Sequence, residues 1–61
     1  MGKEFKSYVV VFSNEDGELC SGEVCSPVEP ESGDRFDAIK SRDENGVEFI
    51  NSGKILEAYA L

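Results

Sequence analysis

Apolar and polar residues alternate along this chain in short runs, and turn-forming residues separate the runs. Phe5 to Ser13 (FKSYVVVFS) is rich in β-branched and aromatic residues and reads as a strand. Alternation places Tyr8, Val10 and Phe12 on one face and Phe5, Val9 and Val11 on the other. Both faces are apolar. Such a strand is either buried on both sides or presents Phe5, Val9 and Val11 to another subunit as an oligomer interface. Asn14-Glu15-Asp16-Gly17 follows as a turn signal, with glycine where a positive φ costs least. Glu18 to Ser26 is then the expected hairpin partner, bent at Gly22. Pro27 to Gly33 (PVEPESG) reads as a loop, because its prolines and glycine interrupt both ladder and helix.

The second half holds two ambiguous segments. Asp34 to Asp43 (DRFDAIKSRD) has Phe36, Ile39 and Lys40 at helical spacing, yet Glu44-Asn45-Gly46 comes directly after it. Asn-Gly between two such runs is the strongest short hairpin signal, so a strand is expected here, paired with Val47 to Ile50. The tail presents the same conflict. Ile55, Leu56, Tyr59 and Ala60 recur at helical spacing, whereas Ile55, Tyr59 and Leu61 also fit one face of a strand. The stretch is marginal for a helix and sufficient for a strand. A tight turn at Asn51–Lys54 followed by a short last strand is the expectation. The fold class predicted is all-β, a small five-stranded barrel or strongly bent antiparallel sheet; the alternative is α+β, with a short helix at 34–43 or 53–61.

Size sharpens this picture. The 61 residues form one small β domain, 1–61. A chain of this length buries only about 60% of the surface its unfolded form exposes. With 39% hydrophobic residues it is nonetheless not compositionally disordered. Cys20 and Cys25 are the natural candidates for a staple. Their odd spacing puts them on opposite faces of a regular strand, although a bulge at Gly22 would change that parity. Free thiols are expected. The start, MGKEFKSY, shows neither the apolar core of a secretory signal nor a good myristoylation pattern, and the longest apolar run, Tyr8 to Phe12, is far short of a membrane span. A cytoplasmic location and no membrane partner are expected.

The net charge is −7, and its distribution matters more than its size. From Ser7 through Asp34 there is no Lys or Arg, whereas Glu15, Asp16, Glu18, Glu23, Glu29, Glu31 and Asp34 all fall there. Two readings are open. Charge of this size keeps a small domain in solution. It also provides an acidic face for a basic partner surface, with electrostatic steering of the encounter. Direct nucleic-acid binding is disfavoured, since affinity for phosphates comes mainly from Lys and Arg.

Chemistry is sparsely represented. The chain contains no histidine, so the usual base for a serine or cysteine nucleophile is missing. CSGEVC lacks the spacing and the further ligands of a zinc site, and NEDGE lacks the calcium-loop pattern. No phosphate-binding glycine loop is present. The expectation is a protein that is not an enzyme and carries no cofactor and no metal. Phe36, Phe49 and Tyr59 are assigned to the core.

The order of elements is strand, acidic turn, bent strand with a central glycine, loop, strand, Asn-Gly hairpin, strand, tight turn and short strand. Carried by VVVFSNEDGELCSGEV and by the tail GVEFINSGKILEAYAL, this order resembles the small SH3-like and Sm-like barrels. The resemblance implies a one-turn segment at Asn51–Lys54 ahead of a last strand at Ile55–Tyr59. It transfers no function, because many unrelated families share the scaffold. In size and acidity the chain also resembles accessory proteins of bacteriophages and mobile elements, many of them inhibitors and some imitators of the charge of DNA. The function expected is therefore a protein-binding module or inhibitor whose Glu15, Asp16, Glu18, Glu23, Glu29 and Glu31 engage a basic partner, such as a host nucleic-acid-binding or defence protein. An alternative is a homo-oligomer that binds a small ligand or nucleotide at subunit interfaces through Arg35, Lys40 and Arg42.

Overall fold

The computed structural model describes residues 4–61; Met1, Gly2 and Lys3, the first three residues of the chain start considered above, lie outside the described residues. Four strands follow one another: β1 (Lys6–Asn14), β2 (Leu19–Ser26), β3 (Arg35–Arg42) and β4 (Glu48–Ala60). All pairings are antiparallel, and β4 returns to pair with β1, which closes the sheet into a ring. The all-β expectation holds, and 34–43 is strand rather than helix. The number of strands is four, not five. No helix among the described residues is long and apolar enough to cross a membrane.

The two hairpin turns repeat one design. In Asn14-Glu-Asp-Gly-Glu18 the Asn14 side-chain oxygen accepts from the backbone N–H of Asp16 at 3.0 Å and of Glu18 at 2.9 Å. In Asp43-Glu-Asn-Gly-Val47 the Asp43 carboxylate accepts from Asn45 and Val47, both at 2.9 Å. In each, the fourth residue is a glycine at φ 81°, and the first and fifth residues close the hairpin through their backbones. A side-chain acceptor therefore satisfies the turn's donors, and the left-handed position goes to the residue without a Cβ.

The long last strand overturns the expected turn at Asn51–Lys54. β4 runs through these residues without interruption. Its first half pairs with β3, from Arg42↔Glu48 to Arg35↔Lys54, and its second half with β1, from Asn14↔Gly53 to Tyr8↔Ala60. Asn51 and Gly53 serve the strand itself. The Asn51 side-chain amide donates to the Ser41 hydroxyl across the ladder. Gly53 is buried where β4 passes against β1; a Cβ there would strike the Ser13 carbonyl oxygen and lie 2.6 Å from the Phe12 ring.

Two bulges bend the ring. Leu56 is the extra residue between the Phe12↔Ile55 and Val11↔Glu57 pairs, and Asp37-Ala38 oppose the single residue Ser52 between the Phe36↔Gly53 and Ile39↔Asn51 pairs. Each bulge brings residues three apart onto the inner face: Ile55 with Ala58, and Phe36 with Ile39. Tyr59 consequently points outward, against the sequence-based grouping with Ile55. The core is Tyr8, Val10 and Phe12 from β1, Val24 from β2, Ile39 from β3 and Ile55 from β4. Phe36 joins it half-buried, whereas Phe49 and Tyr59, expected in the core, are exposed. In β2 the register with β1 is unbroken through Gly22, so Cys20 lies half-buried beside the core and Cys25 is exposed on the opposite face, neither in a disulfide.

A domain of this size is stable by roughly 3–9 kcal/mol on a per-residue basis. Two glycine substitutions separate the conformational role from the packing role. Gly17→Ala meets no neighbouring atom and is expected to cost about 1–2 kcal/mol through its positive φ alone. Gly53→Ala must displace backbone of β1 and is expected to cost about 3 kcal/mol or more. Equilibrium denaturation of the two variants beside the parent protein measures both; equal costs would contradict the close passage of β4 over β1.

Candidate binding site

The acidic residues singled out in the sequence occupy three places. Glu15, Asp16 and Glu18 stand on the β1–β2 turn, Glu23 is in the middle of β2, and Glu29 and Glu31 are in the loop between β2 and β3. All six are exposed. The turn fixes the first group, because the Asn14 side chain and the glycine at its tip leave these three carboxylates in solvent. Within the loop, Pro30 is the only buried residue, and the Glu31 backbone N–H is held by the Asp34 carboxylate at 3.0 Å.

Folding brings bases to this stretch that the linear order keeps apart from it. Arg35 lies 3.8 Å from the Glu15 carboxylate and 3.8 Å from Asp37. Lys54 is in register with both Ser13 and Arg35, beside the same turn. Lys40 is the register partner of Glu23. The pairs of Arg35 are exposed on both sides and so weak. Among the described residues, Glu15 is the only one of the six acids within ion-pair distance of a base.

The three bases considered for an anion are divided. Lys40 and Arg42 share a groove of about 370 Å³ between β2 and β3, together with Val9, Ser21, Glu23 and Glu48. Arg42 is 3.6 Å from Glu48 across the β3–β4 ladder, so half of this groove's charge is already balanced. Arg35 is at the other end of β3, beyond the bulge. A second, smaller depression lies at the acidic turn, between Asn14, Glu15 and Asp16 on one side and Ile50 to Ser52 of β4 on the other. There the Ser52 hydroxyl donates to the Glu15 carboxylate at 3.2 Å.

The apolar interface candidates are partly in place. Val9 and Val11 lie half-buried on the outer face of β1, while Phe5 precedes the strand and is 69% exposed. The outer face is thus not buried by a second layer. Register adds Tyr59 opposite Val9 and Glu57 opposite Val11, a pair that sequence reasoning missed because the Leu56 bulge reverses the parity of the tail. The Tyr59 hydroxyl donates to Glu57 at 2.6 Å. That bond, the Glu57 charge and a small desolvation all raise the Tyr59 phenol from its ordinary 10.0.

The phenol is therefore protonated and hydrogen-bonded at neutral pH, and the bond is lost only as pH rises through the raised value. Ring resonances of Tyr59 followed by NMR are expected to titrate above pH 10, and Glu57→Gln to bring the midpoint back towards 10.0; an unchanged midpoint would mean that Glu57 is not the cause. Comparison of the chain with protein-family models, with curated proteins and with solved structures finds no match.

Proposed function

We propose that this is a non-catalytic acidic binding protein, an interaction module or inhibitor that engages a basic surface on a partner protein. The observation that carries this reading is the exposure of Glu15, Asp16, Glu18, Glu23, Glu29 and Glu31 on a chain of net charge −7, with Glu15 alone among them within ion-pair distance of a base among the described residues. Five carboxylates are thereby left to a partner. Unpaired surface charge of one sign accelerates encounter with the opposite sign and fixes orientation more than it adds affinity. The Asn14-anchored turn holds three of these groups on a rigid projection, which limits the ordering cost on binding.

The scaffold reading that accompanies it is a reduced form of the SH3-like and Sm-like pattern, with the last two strands merged into β4. An inhibitor of a nucleic-acid-binding or defence protein, cytoplasmic and of phage or mobile-element origin, fits the acidity and the size. In that setting the carboxylates would stand where phosphates otherwise bind. Nothing in the arrangement favours the nucleotide-binding alternative, because Arg35 is apart from Lys40 and Arg42 and two carboxylates share their groove.

Affinity capture from the native host tests this reading. The parent protein is expected to recover a basic protein at low salt and to release it as salt rises. A variant carrying Glu15→Gln, Asp16→Asn, Glu18→Gln and Glu23→Gln is expected to recover it poorly while melting like the parent. Equal recovery by parent and variant would remove the electrostatic reading.

A further inference from the structure

The ladders of the ring are unequal. β1–β2, β1–β4 and β3–β4 pair over most of their lengths, but β2 and β3 register at Glu23↔Lys40 alone. At that point the strands touch: a Cβ on Gly22 would lie 2.5 Å from the Lys40 carbonyl oxygen. From there towards Leu19 no further pair forms, and a groove lies between Ser21 and Gly22 on one side and Ser41 and Arg42 on the other. The backbone of Leu19 to Gly22 therefore has β1 on one side and no paired strand on the other. Backbone donors and acceptors at an exposed edge form a template for another strand unless lysine, proline, a bulge or a covering segment guards it. On the β3 side of the gap, Lys40 and Arg42 provide that guard. On the β2 side, Leu19, Cys20, Ser21 and Gly22 include no base and no proline, and their register with β1 contains no bulge.

We propose that the β2 edge at Leu19–Gly22 is a strand-addition site, and that its occupant is an extended, basic-flanked segment of a partner protein. This rests on the acidic-binding reading and supplies its mode of contact. The incoming backbone pairs with the free edge, and Val9 in the groove meets an apolar side chain at an alternate position of the segment. Glu18 stands at the open end of the edge, so a base on that flank of the segment stands opposite it, whereas Glu23 at the closed end already faces Lys40. The same charges select against a second copy. Antiparallel pairing of two β2 edges centred between Cys20 and Ser21 would set Glu18 of one copy opposite Glu23 of the other, on two chains of net charge −7. The exposed side chain of Leu19, 71% accessible, remains available to a partner.

The test uses a capped Lys-Lys-Val-Thr-Val-Lys-Lys peptide, titrated into the isotope-labelled protein and followed by NMR. Two controls accompany it: the same peptide N-methylated at alternate backbone positions, and a version with glutamate in place of each lysine. The amide resonances of Leu19–Gly22 are expected to shift, and the unmodified peptide to bind about tenfold tighter than either control. Ser21→Lys, an exposed substitution that guards the edge, is expected to weaken binding about tenfold without lowering the melting temperature. Equal binding by the N-methylated peptide, with shifts centred on Glu15–Glu18, would overturn strand addition and leave the electrostatic reading standing. Equal binding by the glutamate peptide would overturn the charge selection while the edge stood. No binding by any peptide would overturn the site. Concentration-dependent shifts at Leu19–Gly22 in the protein alone would replace the partner segment by a second copy.

Discussion

Closure of the sheet depends on β4 serving two neighbours in turn. One strand of this length pairs with β3 up to Lys54 and with β1 from Gly53 onward, and at Gly53 it passes against β1 with no room for a side chain. Everything else in the core follows from that passage. It places Ile55 beside Phe12 and Ile39 and brings the start of β3 to the β1–β2 turn, where Arg35 meets Glu15. A flat sheet cannot close in this way with so few strands. The bulges at Leu56 and at Asp37-Ala38 supply the additional bend and twist.

The cost of closure falls on β2 and β3. Three ladders are extensive, and the fourth is reduced to one pair where Gly22 allows the Lys40 carbonyl to approach. The molecule therefore has a strong arc, β2–β1–β4–β3, and a seam. The groove, the split between guarded and unguarded edges and the position of Glu23 all derive from this inequality. The acidic turn is positioned differently, by its own Asx hydrogen bonds, at the end of the β1–β2 hairpin where the unpaired stretch of β2 begins.

Much of the fold was legible because the turn chemistry is local. Asn14-Glu-Asp-Gly and Asp43-Glu-Asn-Gly carry their acceptor and their glycine within four residues, so both hairpins could be placed from sequence. The segments at 34–43 and 53–61 were ambiguous for a shared physical reason. A bulge sets two inward residues three apart, which is also the spacing of a helix face. Asn51-Ser52-Gly53 read as a turn because its residues are turn formers, whereas here Asn51 bonds across the ladder to Ser41 and Gly53 admits β1. The acids of the candidate site were visible as a run without bases; that Arg35, Lys40 and Lys54 return to its borders is a consequence of the ring and has no local signal. The unguarded edge had none either, since Ser21 and Gly22 are unremarkable until β3 is seen to part from them.

Native-state hydrogen exchange, read amide by amide on the free protein, tests the unequal ring most directly. Slow exchange is expected along the β1–β4 ladder, at Val9 to Phe12 and Lys54 to Ala58, because these amides open only with the whole sheet. Fast exchange, close to that of unstructured chain, is expected for the amides of Leu19 to Gly22 that point away from β1. Protection of those amides equal to that of the β1–β4 ladder would contradict the unequal ring, since β2 and β3 would then be paired well beyond Glu23↔Lys40.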